Sequence, residues 1–193
     1  MLKSIGRPKH LRGFTLLEIL ITILIVSFGL LGLAGLQAKI QVAEAESYQR
    51  AQAILLLSAM TERISANRAQ AANYVSTTVY GTGDSQSATC SATPGSTADI
   101  CEWSNALKGA AEVKSSTNVG AMIGARGCIT QVQAQNSSAG VCTPGIYQVA
   151  IAWQGLSPTV APAIACGKDL YGSSDSFRRL ISSTITVPLT SCS

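Results

Sequence analysis

Charge is scarce in this sequence. Only 12% of its 193 residues are charged and 5% are aromatic, whereas 47% are apolar. This composition excludes a disordered polyelectrolyte, and the length fits one domain rather than a large multidomain enzyme. The first 12 residues contain no acid and four of the 14 basic residues: Lys3, Arg7, Lys9 and Arg12. The remainder is electrically neutral, which argues against nucleic acid as a partner, because phosphate binding needs clustered Lys and Arg.

Histidine is nearly missing as well, since His10 is the only one. Beyond it the chain has no means to build a Ser-His-Asp or Cys-His catalytic arrangement or a histidine-ligated metal site. The sequence also contains no GxSxG, P-loop or HExxH motif. We therefore predict a protein that is not an enzyme and that has neither a cofactor nor a metal site.

Proline is absent between Pro8 and Pro94. Helix-compatible residues fill the first part of this interval, with an apolar half followed by one rich in Ala, Gln, Glu and Leu. We expect a single helix over about residues 14–68. Its first half should anchor the protein, and its second half should pack on a globular domain.

The six cysteines include no CxxC pair, which excludes zinc-ribbon and thioredoxin-like sites. We interpret their even number as disulfides formed in a periplasmic or extracellular compartment. The alternative is a cytosolic protein with reduced, buried thiols. Pairing of neighbours along the sequence is the simplest connectivity: Cys90 with Cys101, Cys128 with Cys142, and Cys166 with Cys192.

A long apolar run, residues 14–36, follows the basic start and is interrupted by one charge, Glu18. As a helix it spans about 35 Å, enough for a hydrocarbon core of about 30 Å. The basic flank predicts a cytoplasmic N-terminus and export of everything after the run. A cleavable secretory signal is the alternative, but no good small-x-small cleavage site accompanies the run.

The segment GFTLLE at positions 13–18, with a short basic leader before it and an apolar helix after it, closely resembles the class III signal of type IV pilins and type II secretion pseudopilins. The resemblance implies that a prepilin peptidase cleaves after Gly13, on the cytoplasmic side. Phe14 would then become the N-methylated first residue. Glu18 would take the fifth mature position, which carries the characteristic glutamate of this family.

The physical chemistry of Glu18 agrees with that implication. A charged side chain within a spanning helix costs about 2.5–3.5 kcal/mol on insertion scales. Pairing the Phe14 amine of one subunit with Glu18 of its neighbour would neutralise two charges that are both unfavourable in hydrocarbon. We expect this salt bridge to set the register of a filament. The alternative is that Glu18 extends to the lipid headgroups.

Residues 128–133, 147–153 and 180–187 alternate apolar and polar side chains, as strands do. A loop at 75–99 precedes them, and a short helix is expected from Asp99, as its N-cap, to Val113. The predicted fold class is α+β. A long N-terminal helix with a membrane-spanning first half packs on a small antiparallel sheet, in the ladle shape of pilins.

Two charged features of the last third have competing interpretations. Arg178 and Arg179 form either a contact for a partner or DNA, or a solvated strand edge, which we favour. Asp169 and Asp175 flank a Gly-Ser loop and are candidate ligands for calcium, which some pseudopilins bind. Their spacing matches no EF-hand, so a solvated turn is favoured.

The resemblance implies a structural subunit with three parts: a prepilin leader at 1–13, a membrane-spanning and filament-core half-helix at 14–36, and a periplasmic pilin-like domain at 37–193. Length and cysteine content favour a minor pilin of the type IV pilus, near its tip, that helps to prime assembly, twitching motility and adhesion. A minor pseudopilin of a type II secretion system is the alternative. A membrane-anchored periplasmic enzyme would need a catalytic constellation that the sequence does not offer.

The same resemblance implies partners and a location. The partners would be a prepilin peptidase, the inner-membrane assembly platform, other minor pilins, the major pilin and a tip adhesin. Before assembly the protein would cross the inner membrane once. Afterwards it would belong to a pilus that spans the periplasm and extends outside the cell.

Overall fold

The computed structural model describes residues 13–110, 112–115, 117, 118, 120, 122–172 and 174–189. The basic start of the chain, His10 and Cys192 lie outside these residues. The helices are α1 (Leu16–Ala66) and α2 (Ser96–Leu107), with 3-10 turns at Arg68–Tyr74 and Asp175–Phe177. The strands are β1 (Tyr80–Gly81), β2 (Val113–Lys114), β3 (Thr117–Asn118), β4 (Arg126–Gln133), β5 (Gly145–Gln154) and β6 (Arg178–Val187).

The part of α1 that follows Glu44 has one buried face. Its buried residues recur every three or four positions, as expected for a helix that packs on one side: Gln49, Ala53, Leu57, Met60 and Ile64. The apolar members of this face share a single core with the sheet. α1 ends close to the predicted residue 68, because Asn67 adopts non-helical dihedral angles (φ −103°, ψ 42°).

Four strands form an antiparallel sheet in the order β1-β4-β5-β6, and β2 pairs with β3 separately. The three predicted strands are β4, β5 and β6, which form the expected meander on a long helix and confirm the α+β fold class. The fourth strand, β1, was not predicted. It has two residues and lies inside the segment that composition marks as a loop.

The alternation within β5 sorts its side chains between two cores. Tyr147, Val149 and Ile151 are fully buried against the helices, as the period-two pattern predicts. Ala150 and Ala152 are also buried, in a second cluster with Cys166 and Tyr171 on the opposite face. Both faces are covered because the β5–β6 connection folds back over the outer side of the sheet.

The short helix differs from its prediction at both ends. α2 begins at Ser96 rather than Asp99 and ends at Leu107 rather than Val113, and its N-cap position is Gly95. Asp99 lies in the first turn, where an acid is stabilised by the helix dipole. The Asp99 carboxylate bonds to Arg63 and Tyr74 rather than to backbone N–H groups of the first turn, so it is not the cap.

Trp103 packs α2 against the rest of the core. Its Nε1 donates a hydrogen bond to the Leu56 carbonyl at 2.9 Å, and its ring meets Tyr80 edge-on at 6.1 Å. The indole also lies directly over Gly127 of β4, where any Cβ would overlap it. Glycine at this position therefore permits close packing of α2 on the sheet.

Two disulfide pairs are described, Cys90–Cys101 and Cys128–Cys166. The first is the pair expected from sequence order. The second shows that the predicted pairs Cys128–Cys142 and Cys166–Cys192 were wrong, because Cys128 on the outer face of β4 faces the returning β5–β6 connection. Cys142 is also disulfide-bonded. In the chain-entropy model the 38-residue separation of Cys128 and Cys166 contributes about 4 kcal/mol.

Candidate functional site

The N-terminal motif lies at the point where α1 begins. Residues 13–15 are not helical, and the hydroxyl oxygen of Thr15 accepts a hydrogen bond from the backbone N–H of Glu18 at 3.2 Å. This is N-capping, and it explains why the helix begins at Leu16. Glu18 lies in the first turn, where the helix dipole favours a carboxylate.

The proposed cleavage point is exposed within the part of the chain that the structure describes. Apart from its chain neighbours, no described residue has an atom within 4 Å of a Cβ built on Gly13, and the Phe14 side chain is 79% exposed. Backbone that is outside a helix and unobstructed is the form in which a peptidase can bind a scissile bond. The geometry is therefore compatible with cleavage after Gly13, and the cleavage itself remains a prediction.

Beyond the motif, α1 contains a stretch that is long and apolar enough to cross a membrane, and none of it is buried within the described residues. Its two hydroxyl side chains, Thr22 and Ser27, donate to the carbonyls of Glu18 and Ile23. Hydroxyls bonded in this way expose no unsatisfied donor to lipid. The carboxylate of Glu18 has no ion-pair partner in the described part of the chain, and its pairing with Phe14 of a neighbouring subunit stays a prediction.

A polar network joins the end of α1 to the start of α2. The Arg63 guanidinium contacts Asp99 at 2.9 Å and Glu102 at 2.7 Å. The Tyr74 hydroxyl donates to the other Asp99 oxygen at 2.5 Å and accepts from the Asn67 amide at 3.2 Å. Burial, reinforced by the bond to Asp99, raises the pKa of Tyr74 to about 12.

This raised pKa predicts a loss of stability in strong alkali. The free energy contributed by neutral Tyr74 is fully present below the unfolded pKa of 10.0 and is lost as pH rises through about 12. In a titration of tyrosinate absorbance, wild type minus Tyr74→Phe should therefore show one group with a pKa near 12. A difference curve centred at the ordinary tyrosine pKa of 10.0 would contradict the hydrogen-bond network around Tyr74.

Arg178 holds the β5–β6 connection against the outer face of the sheet. Its guanidinium is 2% exposed and donates to the carbonyls of Ile164, Cys166 and Pro162 at 2.6, 3.0 and 3.0 Å. It also contacts the Asp175 carboxylate at 2.8 Å. The prediction of a solvated edge was therefore wrong for Arg178, because the connection that covers it cannot be inferred from the strand pattern.

Removing this anchor should be costly. Arg178→Met leaves three backbone carbonyls without their donor, and each unsatisfied buried group costs about 1–3 kcal/mol. We expect a loss of at least about 3 kcal/mol in the free energy of unfolding of the detergent-solubilised chain, measured by denaturant titration. Arg68→Met, at an exposed arginine, should change it by less than about 0.5 kcal/mol. If Arg178→Met lowered the free energy of unfolding as little as Arg68→Met, the Arg178 anchor would add no stability.

Asp169 and Asp175 are brought together in a turn. The Asp169 N–H donates to one Asp175 oxygen at 3.0 Å, while Arg178 contacts the other. The bond from Arg178, followed by that from Asp169, lowers the pKa of Asp175 below its usual range. Within the described residues, no group of three or more His, Cys, Asp and Glu side chains could hold a metal ion.

The long N-terminal helix, its membrane-capable apolar stretch and the small four-stranded sheet define an α+β, pilin-like class of protein. Residues 9–34 match the family described as the prokaryotic N-terminal methylation motif. The match supports a type IV pilin or pseudopilin-type subunit. Proteins of this type are structural, generally lack enzymatic activity, and assemble with other pilins after processing by a prepilin peptidase.

The motif and the apolar helix are also consistent with membrane anchoring. No curated protein and no solved structure matches the chain significantly. The methylation motif alone does not distinguish a pilus from a secretion system.

Proposed function

We propose that the protein is a minor pilin of the type IV pilus, of the PilV type. The observation that carries the proposal is the GFTLLE motif directly before an exposed apolar helix, inside the segment that matches the methylation motif. Six cysteines and a long C-terminal part favour a pilus over a secretion system, because pilins commonly display disulfide-stabilised surfaces. The glycine-rich apolar helix and the QVAIAWQG segment of β5 resemble PilV-type subunits.

In this proposal the chain has three parts. Residues 1–13 are removed as a leader, residues 14–36 anchor the subunit and later lie in the filament core, and residues 37–193 form the periplasmic domain. The mature protein crosses the inner membrane once, with its N-terminus on the cytoplasmic side. It then enters the pilus near its tip with other minor pilins, the major pilin and a tip adhesin, and helps to prime assembly, twitching motility and adhesion.

An in-frame deletion strain tests the proposal. Sheared surface pili and twitching are scored beside secretion of folded exoproteins, and each defect is complemented by the wild-type chain. We expect pili and twitching to be lost and secretion to be intact. Normal pili with lost secretion would overturn the proposal in favour of a minor pseudopilin of the type II secretion system.

A further inference from the structure

One edge of the four-stranded sheet has no partner strand among the described residues. β6 pairs with β5 along all ten of its residues, and no other described strand pairs with its far side. From Leu180 to Val187, β6 contains no charge, no proline and no break in register. Natural edge strands use charges, prolines and irregularities to prevent further pairing. Because this part of β6 has none of them, it is open to another strand.

The hydrogen bonds on either side of β5 show which backbone groups of β6 are available. The Gln154 N–H donates to the Ile123 carbonyl on the β4 side of the strand. The next N–H, that of Gly155, donates to the Phe177 carbonyl on the β6 side. Direction alternates along an antiparallel ladder, so odd-numbered residues of β5 bond the odd-numbered residues opposite them in β6. The even-numbered residues of β6 therefore direct N–H and C=O outward: Leu180, Ser182, Thr184 and Thr186.

The opposite edge of the sheet is protected by contrast. β1 pairs with the start of β4, and the Ser76 N–H donates to the Ile129 carbonyl at 3.3 Å. A register shift between Gln131 and Gln133 then disturbs the rest of β4. Protection at one edge and none at the other makes β6 the favoured side for strand addition.

A cavity of about 380 Å³ opens beside this free edge. It lies between α1, which contributes Glu46 and Arg50, and the start of β6, which contributes Arg179 and Ile181. The charge of Glu46 is already matched, because its Oε1 accepts from Arg179 at 2.9 Å and from two backbone N–H groups at 3.0 and 3.1 Å.

Arg50 has no such match. Its side chain is exposed and, among the described residues, makes neither an ion pair nor a hydrogen bond. With Glu46 already paired to Arg179, Arg50 leaves the cavity with an unmatched positive charge. A strand added to β6 directs alternate side chains to the helix side of the sheet, where this cavity lies.

We propose that β6 binds an extended segment of another protein subunit as a fifth strand, with an acidic side chain of that segment paired to Arg50. Backbone hydrogen bonds to the even-numbered residues of β6 stabilise the complex. The positive charge of Arg50 in the cavity favours a segment with a carboxylate at the facing position. The proposal does not depend on the type of filament or secretion system in which the subunit acts.

Fluorescence anisotropy with two labelled octapeptides tests the proposal on the full chain in detergent. Both peptides alternate threonine and valine. At one central valine position the first peptide has glutamate instead, and the second has lysine. We expect saturable binding of the glutamate probe and binding of the lysine probe at least about tenfold weaker. Arg50→Glu should reverse this preference. The absence of saturable binding, or an unchanged preference in Arg50→Glu, would overturn the proposal.

A backbone variant tests the edge itself. Thr184→Pro removes an outward donor at an edge position where proline is tolerated, and Thr184→Val keeps the donor without the hydroxyl. We expect binding to be lost in the first and kept in the second. Full binding by a folded Thr184→Pro protein would overturn the proposal, and if that variant does not fold, the Arg50→Glu result decides. Dimers of the chain alone that Thr184→Pro abolishes would overturn it in favour of a second copy.

Discussion

Glu18→Leu is expected to leave the protein in the membrane and to remove it from filaments. Insertion should not suffer, because a charged residue in the span costs about 2.5–3.5 kcal/mol and leucine does not. Assembly should fail, because the Phe14 amine of the neighbouring subunit would lose its counter-charge in an apolar filament core. We expect the ratio of sheared-filament to membrane-bound protein, measured by immunoblot, to fall at least about tenfold.

Glu44→Leu is the matched control. Glu44 is exposed on α1 but lies beyond the apolar run, so the same substitution there should leave the ratio within about twofold of wild type. Wild-type amounts of Glu18→Leu in filaments would contradict the proposed pairing. Loss of both variants from filaments would show that assembly responds to any change of charge on α1.

Gly13→Val is expected to block maturation completely. A branched side chain next to the scissile bond should obstruct the peptidase, so the chain should keep its leader and lack N-methylation. Mass spectrometry of the N-terminal peptide, from cells that contain the peptidase, should find only the unprocessed start. Wild type should begin at methylated Phe14.

Gly32→Val separates this effect from a general intolerance of valine in the segment. Apart from the adjacent chain and, for Gly32, the surrounding helix backbone, no described atom lies within 4 Å of a Cβ built on either glycine, so neither substitution creates a tertiary clash. Gly32→Val should be processed normally. If the mature terminus of Gly13→Val were also methylated Phe14, cleavage after Gly13 would not depend on glycine.

The parts of the fold that were predictable are those set by local periodicity. The buried positions of β5 follow from alternation alone, and the continuous helix follows from composition and the absence of proline. The Gly13–Glu18 motif was recognisable because its spacing is independent of tertiary structure. The start of α2 was misplaced because Asp99 has the chemistry of a cap, while its carboxylate is used by Arg63 and Tyr74 instead.

What could not be predicted depends on the path of one irregular connection. Cys128 and Cys166 are 38 residues apart, and only the return of the β5–β6 connection over the outer face brings them together. The same path buries Arg178, although its position at the start of a strand resembles that of an exposed residue. A sequence pattern reports how a strand alternates, but it does not report what later covers either face.

The way in which Arg178 holds that connection has a consequence for how the surface can evolve. Three of its four partners are main-chain carbonyls, which every amino acid possesses. Exposed side chains of this connection, such as those of Val160, Ala163 and Lys168, can therefore be exchanged without loss of those three contacts, whereas Cys166 and Tyr171 are buried in the second core. A segment fixed largely through its backbone keeps its conformation while its exposed side chains change, so the chemistry of this surface can vary without a change in its shape.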